Sequence, residues 1–311
     1  MNVHLYKTEA VVLDRRDFGE ADRLLTLFTP GMGKVRAIAK GARRTTSRLS
    51  GHIELFTHTY LFLATGRNLD IVTQSQLIHS HERLREDLWR AAMGFHIVEL
   101  VNHFSEERLE NPALWQALLA VLGRLDQGSV VRGQGSWARE EPSVVSRQLS
   151  DGRLAIHESR ASYDYDGSSP ADDSRLTTDD SGSTDDSPST ELAVRFFEAQ
   201  LLDHTGYRPE LRCCTLCRER LQPIENYFHA PSGGVLCPHC SAGHAGLLPL
   251  SVDTIKVLRL LQDGDFGLAS RLRLTGGTLR EMESTMRRHI VHVLERDLRT
   301  AHLVDEIRVL G

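Results

Sequence analysis

Two cysteine pairs in the C-terminal half of the chain have the spacing of a tetrahedral metal site. Two residues separate Cys214 from Cys217, and after nineteen further residues Cys237 and Cys240 repeat that spacing. Each C-x2-C turn presents two thiolates to one side of a metal ion, and four thiolates complete the shell that structural zinc prefers. The spacing therefore predicts one structural zinc ion held by these four cysteines, with no open position for a catalytic water.

The remaining cysteine, Cys213, lies beside the first pair, so that all five cysteines fall within 28 residues. Clustered cysteines in a chain of this size indicate metal binding, whereas a secreted disulfide scaffold spreads its cysteines over a small domain. Cys213 paired with Cys217 would give a C-x3-C spacing, and His239 or His244 could replace a thiolate. Both alternatives stay open, although two C-x2-C pairs are the more typical zinc ligands.

A second chemically distinctive segment lies near the N-terminus. Between Gly33 and Ile53 the chain contains six Lys or Arg and no Asp or Glu, with Gly and Ser interspersed. Such a run suits a loop that follows a phosphate backbone. The segment predicts nucleic-acid contacts by Lys34, Arg36, Lys40, Arg43, Arg44 and Arg48. Five aromatic residues of the same region offer stacking surfaces, although their alternation within strands favours the core for most of them: Phe18, Phe28, Phe56, Tyr60 and Phe62.

The residues around the basic segment have the pattern of a small β-barrel. Apolar runs rich in strand-forming residues are separated by turn residues, and they occur at 11–13, 24–28, 35–39, 53–63 and 69–72. Five short strands in eighty residues predict a five-stranded barrel. The OB-fold is its common form, and an SH3-like barrel is the alternative that periodicity does not exclude.

After residue 80 the apolar residues recur every three or four positions, which predicts helices. The first helix is expected to bury Leu88, Ala91, Phe95, Val98 and Val101. The second is expected to bury Leu114, Ala117, Leu118, Val121, Leu122 and Leu125. Further helices are expected at 192–204, 252–261 and 279–298. The last of these has a basic face for which a solvated surface is favoured over DNA contact, formed by Arg280, Arg287, Arg288, Arg296 and Arg299.

Gly, Ser, Asp and Thr dominate residues 128–190. Residues 151–190 contain ten Asp or Glu and three Arg, whereas residues 1–80 contain eleven Lys or Arg and seven Asp or Glu. The charge is therefore segregated along the chain. Too few apolar residues are present to offset the entropy of ordering, so a disordered acidic insert is expected. The opposed charges raise the hypothesis that this insert competes with nucleic acid for the basic segment.

These patterns together predict a multidomain α+β protein. Residues 1–80 form the OB-fold barrel, and residues 81–127 form the first part of a mainly α-helical domain. Residues 128–190 form the acidic insert. Residues 191–311 complete the helical domain, within which a four-cysteine zinc module occupies about 205–250.

Several functional classes lack their signatures in this sequence. It has no P-loop, no H-E-x-x-H, no G-x-S-x-G and no Rossmann glycine motif. No apolar run approaches the roughly 20 residues of a membrane span, and no secretory signal is evident. We therefore expect a cytoplasmic nucleic-acid-binding protein that is not an enzyme and does not bind membranes.

Two alternatives use the same features differently. A zinc-ribbon transcription or RNA-associated factor would share both the charge and the zinc. A metal-dependent nuclease or nucleotidyl transferase would need carboxylates gathered beside the barrel, and the candidates are Asp14, Asp17, Glu20 and Asp22.

Several blocks of the chain match one family pattern in order and spacing. They are YKTEAVVL at 6–13, GEADR at 19–23, LFTP at 27–30, GKV at 33–35, AKGARR at 39–44 and SRLSG at 47–51. Together with GYRP at 206–209, the two cysteine pairs and the closing helix, they resemble the zinc-bearing members of the bacterial RecO family. The resemblance covers nearly all of the chain except 128–190.

The resemblance implies an N-terminal OB-fold, a helical region with an embedded zinc module, and a nucleoid-associated location in the cytoplasm. RecO-like proteins bind single- and double-stranded DNA and anneal complementary strands. With the partner RecR, in the RecF pathway, they help RecA load onto DNA coated by single-strand-binding protein. Carried onto this chain, the implied DNA contacts are the six cations of the basic segment.

Overall fold

The computed structural model describes residues 4–127, 187–272 and 274–310. Its first part contains the strands β1 (Leu5–Phe18), β2 (Asp22–Thr29), β3 (Gly33–Ala39), β4 (His58–Ala64) and β5 (Asp70–His79), and the helices α1 (Glu82–Glu86), α2 (Leu88–Phe104) and α3 (Pro112–Gln127). The remainder contains α4 (Ser187–His204), β6 (Asn226–His229), β7 (Gly234–Leu236), α5 (Pro238–Ser241), β8 (Leu248–Leu250), α6 (Val252–Gln262), α7 (Phe266–Ala269), α8 (Gly276–Leu294) and α9 (Arg299–Leu310). The acidic insert expected at 128–190 lies outside the described residues, except for the last four, which begin α4.

The five N-terminal strands close into a barrel in the order β1-β2-β3-β5-β4. The first half of β1 pairs with β4 and its second half pairs with β2, and the register shifts between Val12 and Asp14, where the strand changes partner. The interior is filled by buried side chains that include Ala10, Leu27, Val35 and Leu61. This is the strand order of the OB-fold, so the OB-fold prediction is confirmed and the SH3-like alternative is wrong.

Two strands differ in length from the prediction. The run at 53–63 was expected to be one strand, but β4 begins only at His58. Ile53 and Phe56 are fully buried all the same, in a turn where Phe56 has a left-handed backbone with φ of 66°. These two residues are apolar because they are buried and not because they lie in a strand, which explains why the sequence predicted a strand that begins too early. At the other end, β5 runs to His79, seven residues beyond the apolar run that predicted it.

The connection between α2 and α3 forms backbone contacts with the barrel next to its shortest strand pairing, which is between β3 and β5. β3 and β5 share two paired positions, and residues 105–108 lie alongside the start of β3. The Lys34 N–H donates to the Glu106 carbonyl at 3.3 Å, and the Arg108 N–H donates to the Lys34 carbonyl at 3.0 Å. Gly33 is required there, because a Cβ at this position would lie 1.8 Å from the Leu109 carbonyl oxygen.

A buried carboxylate ties the same connection to β5. Asp70 is 1% exposed and accepts hydrogen bonds from the Tyr6 hydroxyl, the Arg108 guanidinium and the Gly66 N–H. Burial, together with the hydrogen bond to Asp70, raises the pKa of Tyr6 to about 12. A buried charge is stable only when it is paired and hydrogen-bonded, as Asp70 is.

The outer side of the barrel shares one hydrophobic cluster with the helices. Val11, Leu13 and Phe28 point away from the barrel interior and pack with residues of α2 and α3. The ring centroids of Phe28 and Trp115 are 6.2 Å apart. The barrel and the helical region are therefore joined by packed apolar surface as well as by the backbone contacts of residues 105–108.

Both predicted helices after the barrel are confirmed, but the buried stripe assigned to α2 is only partly right, because Val98 and Val101 are buried and Leu88 and Phe95 are not. Leu88 is 65% exposed and Phe95 is 36% exposed, whereas Met93, Ile97 and Leu100 are buried. α2 contacts β1, α3, α4 and α9, so that more than one of its faces is covered. A single stripe of three- and four-residue spacing does not describe a helix buried on several sides.

The closing helix expected at 279–298 is α8, which ends four residues earlier than expected, and a further helix, α9, follows it. α8 ends at Leu294, because Glu295 adopts a left-handed conformation with φ of 53°. Leu298 is buried in the turn that follows, and α9 then begins. The Glu99 carboxylate of α2 accepts hydrogen bonds from the N–H groups of Arg299 and Thr300, which caps the start of α9. Among the described helices, none has the length and apolar character needed to span a membrane.

Candidate nucleic-acid interface and metal centre

The outer face of β1, β2 and β3 is exposed, and the pairing of the three strands shows which side chains lie on it. Arg16, Leu24 and Ile38 lie opposite one another across the three strands, and Thr26 and Arg36 are opposed in the next row. Residues directly opposite in antiparallel strands point to the same side of the sheet. Leu24 and Ile38 are half-buried, and the Arg16 and Arg36 side chains are 73% and 56% exposed. The face therefore has an apolar centre with Arg16 and Arg36 beside it, and Asp14, opposite Thr26, adds one carboxylate that pairs with Arg16.

The basic segment continues from β3 and lies against the β1–β2 hairpin. The Gly41 N–H donates to the Asp22 carboxylate at 2.8 Å, and the Arg43 N–H donates to the Ala21 carbonyl at 2.9 Å. The Arg43 side chain forms an ion pair with Asp17 at 3.3 Å. Gly41 has φ of 65°, a conformation that favours glycine. These contacts hold residues 40–48 at one end of the exposed face.

Three of the six predicted contact residues are available to a ligand. Lys40, Arg44 and Arg48 are exposed, and in the described part of the chain they form no side-chain hydrogen bond or ion pair. A phosphate can approach them without displacing an existing partner. They therefore form the most accessible cationic group of the basic segment.

The other three cations have structural contacts. The Lys34 ammonium is half-buried and donates to the Asn102 carbonyl at 2.7 Å, and burial lowers its pKa. Arg36 forms an exposed ion pair with Glu107 at 2.6 Å. Arg43 fastens the basic segment to the hairpin. The sequence shows six equivalent charges, whereas the structure divides them into three free cations and three that also position the backbone.

The helical region adds cations that the linear run did not include. Arg296, in the turn after α8, contacts the ring of His103 in α2, and both are close enough to Lys34 to alter its surroundings. Burial, followed by the charge of Arg296, lowers the pKa of His103. The sequence placed Arg296 on a solvated helix face. Arg16 was not among the predicted contact residues either, because the nearby Asp14 cancels its charge in the sequence.

The five aromatic candidates separate in the structure. Phe28 and Phe56 are buried core residues, as the alternation predicted. Tyr60 and Phe62 are half-buried on the outside of β4 and contact each other edge to face, with centroids 5.8 Å apart. Phe18, at the end of β1, is 52% exposed.

The four predicted metal ligands come together around one point. The Sγ atoms of Cys214, Cys217, Cys237 and Cys240 all lie within 4.8 Å of one another, and those of Cys217 and Cys237 are 3.9 Å apart. A tetrahedron of sulfurs about 2.3 Å from zinc has S–S edges of about 3.8 Å. The group could hold one metal ion, and the cysteine prediction of a metal-binding cluster agrees with this geometry.

Local backbone geometry explains how the cysteines are placed. The Arg218 N–H donates to the Cys214 carbonyl at 3.0 Å, which forms the first turn, and the Cys240 N–H donates to the Cys237 carbonyl at 3.0 Å, which forms the second. The Cys237 N–H points at the Cys214 sulfur from 3.5 Å. β6 and β7 between the pairs bring the two turns face to face.

Electrostatics at the cluster suit a bound cation. Burial raises the pKa of Cys214, but backbone N–H groups outweigh this and lower it to about 6. The adjacent thiols raise the pKa of Cys240 to about 12. Four thiolates cannot share so small a volume without a positive charge between them, so the donor set fits a divalent ion. Such an ion would crosslink two turns and would supply no open coordination site.

Three of the four carboxylates of the nuclease alternative have partners within the fold, and the fourth, Glu20, is exposed in the hairpin turn. Asp14 pairs with Arg16, Asp17 contacts two arginines, and Asp22 accepts from a loop N–H. Within the described residues, the cysteine cluster is the only group of three or more potential ligands close enough to hold a metal ion. The barrel carboxylates therefore offer no metal site of the kind that this alternative needs.

Comparison with known proteins identifies the family. The family description "Recombination protein O N terminal" matches residues 1–81, and "Recombination protein O C terminal" matches residues 183–302. A DNA repair protein RecO from Dehalococcoides mccartyi is 35% identical over 306 residues, which are 98% of this chain and 97% of the relative. The chain belongs to the RecO family.

Further relatives agree with this RecO assignment. A DNA repair protein RecO from a Roseiflexus species is 36% identical over 308 residues, which are 99% of this chain and 88% of the relative. One from Symbiobacterium thermophilum is 30% identical over 306 residues, which are 98% of each chain. A RecO chain has a role in DNA repair and recombination, which decides between this function and the transcription or RNA-associated alternative.

Proposed function

We propose that this RecO-family protein is a DNA-binding recombination mediator that binds single- and double-stranded DNA and anneals complementary strands. With RecR, it helps RecA load onto DNA coated by single-strand-binding protein. The observation that carries the proposal is the exposed face of β1–β3 with the unpaired cations Lys40, Arg44 and Arg48 at one end. Exposed cations bind phosphates without regard to sequence.

Annealing follows from the same electrostatics. Two complementary strands repel each other through their phosphates, and a surface that neutralises both lowers that repulsion. The free loop cations lie at one end of the face, and the exposed Arg296 lies near Lys34 at the start of β3. The two groups give a strand positive charge at both ends of β3. No covalent step is involved, so the proposed activity needs no nucleotide and no catalytic group.

The cysteine cluster has a structural role in this proposal. One zinc ion bound by Cys214, Cys217, Cys237 and Cys240 would hold the module of β6–β8 in shape. All four ligands come from the protein, so no substrate binds the metal. The zinc would stabilise the helical region, and the barrel face would carry the DNA.

Annealing of two complementary labelled oligonucleotides, without ATP, tests the proposal. One strand is precoated with single-strand-binding protein, and the reaction is run with and without RecR. Acceleration that weakens as salt increases is the expected result. A folded, zinc-loaded protein that neither binds DNA nor accelerates annealing would overturn the proposal. DNA cleavage in the presence of magnesium would instead restore the nuclease alternative.

A further inference from the structure

An exposed aromatic ring lies at the edge of the cationic face. Phe18 is the last residue of β1 and is 52% exposed, although phenylalanine is usually buried. It pairs with Asp22 across the hairpin, two residues along the strand from Arg16. Its ring makes no aromatic or cation–π contact with another described residue. The fold therefore gains little from this ring.

The position of Phe18 extends the apolar centre of the face. Alternation along β1 places Phe18 on the same side as Arg16, beside the row that contains Leu24 and Ile38. Lys40 follows β3 directly, and continuation of the register places it opposite Asp22, one strand away from Phe18. Phe18, Leu24 and Ile38 therefore form an apolar strip with Arg16 and Lys40 at its edges and the Asp22 carboxylate beside the ring. Bases and phosphates of one strand need this combination side by side.

Two of the acidic groups near the ring accept hydrogen bonds or form ion pairs within the fold. Asp22 accepts the Gly41 N–H, and Asp17 contacts Arg23 and Arg43. Asp22 lies directly opposite Phe18 and, like the exposed Glu20 of the hairpin turn, forms no ion pair in the described part of the chain. The positive charge of Lys40, Arg44 and Arg48 remains available to a strand that passes over Phe18.

We propose that Phe18 stacks on an unpaired base and makes this face prefer single-stranded over double-stranded nucleic acid. The inference rests on the proposed DNA-binding function and adds a residue that discriminates between the two forms. In a duplex, both faces of each internal base are covered by neighbouring base pairs. A protein ring can therefore stack only on a base that is unpaired or at an end. The loop cations contact phosphates in either form.

The expected effect is a loss confined to ligands that have accessible bases. Phe18→Ala should weaken binding of an oligodeoxythymidine by roughly 5- to 100-fold, the range that loss of one base–aromatic stack produces. Binding of an abasic strand of the same length and charge should change less than twofold, and so should binding of a duplex. Phe18→Trp should retain affinity, and its fluorescence should be quenched on binding of the oligodeoxythymidine.

The test measures the affinity of the full chain for these three ligands by fluorescence anisotropy at one salt concentration. Leu5→Ala is the matched control, because Leu5 is 68% exposed at the other end of the same strand. It should leave all three affinities unchanged. Circular dichroism and thermal unfolding of each variant establish that it is folded.

Three results would overturn the inference. Phe18→Ala could leave the affinity for oligodeoxythymidine unchanged, or could weaken binding of all three ligands equally. It could also leave DNA binding intact and abolish binding of RecR, which would assign the ring to a protein interface. Failure of the proposed function looks different, because then the wild-type protein would bind none of the three ligands.

Discussion

Removal of the three free loop cations should change the salt dependence of DNA binding by a predictable amount. The perturbation is the triple variant Lys40→Gln, Arg44→Gln and Arg48→Gln. Each phosphate contact with a single strand contributes about 0.7 to the slope of log affinity against log salt concentration. Because all three side chains are exposed and unpaired in the described structure, all three contacts should be lost, and the slope should become shallower by about 2.

The assay is a salt titration of oligonucleotide binding. Between 50 and 200 mM salt, a slope difference of about 2 means that the wild-type protein loses roughly 20-fold more affinity than the variant. The control is a triple variant with the same change in net charge on the C-terminal helical region: Lys256→Gln, Arg271→Gln and Arg280→Gln. The reasoning would be refuted if the loop variant kept the wild-type slope, or if the control variant reduced the slope equally.

Four further predictions concern stability and the remaining segments. Cys240→Ser should remove about one equivalent of zinc, measured by mass spectrometry of the metal, whereas Cys213→Ser should retain it. Burial lowers the pKa of His81 to about 4, so below about pH 6.5 the unfolded chain binds a proton that the folded chain does not bind. Unfolding free energy should therefore fall by about 2.5 kcal/mol between pH 7.5 and 4.5, and by less in His81→Asn. Asp70→Ala should cost about 2–4 kcal/mol in chemical denaturation, because three donors lose their acceptor. Deletion of residues 151–190 should raise DNA affinity at low salt and not at high salt.

Each of these has a result that would contradict it. Full zinc content in Cys240→Ser would remove that residue from the ligand set. Equal pH dependence in His81→Asn and the wild-type protein would show that His81 is not the group responsible. His81→Asn is a suitable replacement, because asparagine tolerates the left-handed backbone found at this position. A neutral Asp70→Ala would mean that the Arg108 and Tyr6 contacts do not stabilise the fold. An unchanged affinity after the deletion would end the competition hypothesis.

The sequence predicted best those features that local spacing determines. The cysteine cluster needs only two tight turns and an intervening hairpin, so its ligand spacing is visible in the chain. The five-stranded barrel was equally visible, because turn residues separate its apolar runs. Ile53 and Phe56 show the limit of that approach, since apolar residues can be buried by a turn as well as by a strand.

The different roles of the cations were not predictable from the chain. Lys34 meets the Asn102 carbonyl 68 residues away, and Arg296 meets His103 across 193 residues. Such pairings depend on how the barrel and the helices pack, which a run of charges does not encode. The buried faces of α2 were predicted only in part for the same reason, because its neighbours come from the barrel, from α4 and from α9.

The backbone bridge formed by residues 105–108 has a consequence for how bound DNA is presented. An OB-fold on a flexible linker would let its bound DNA strand point in any direction. A contact between that DNA and the rest of the protein would then depend on the effective concentration that the linker allows. Here the barrel shares a hydrophobic cluster and backbone hydrogen bonds with the helices. If DNA binds as proposed, a strand on β1–β3 would leave the surface in a direction that is set relative to the cysteine module. A partner bound to the helical region could contact the same DNA strand only if its binding site faces the direction in which the strand leaves. The relative orientation of the barrel and the helices, and not the length of a linker, would then decide whether one partner contacts both the protein and the DNA.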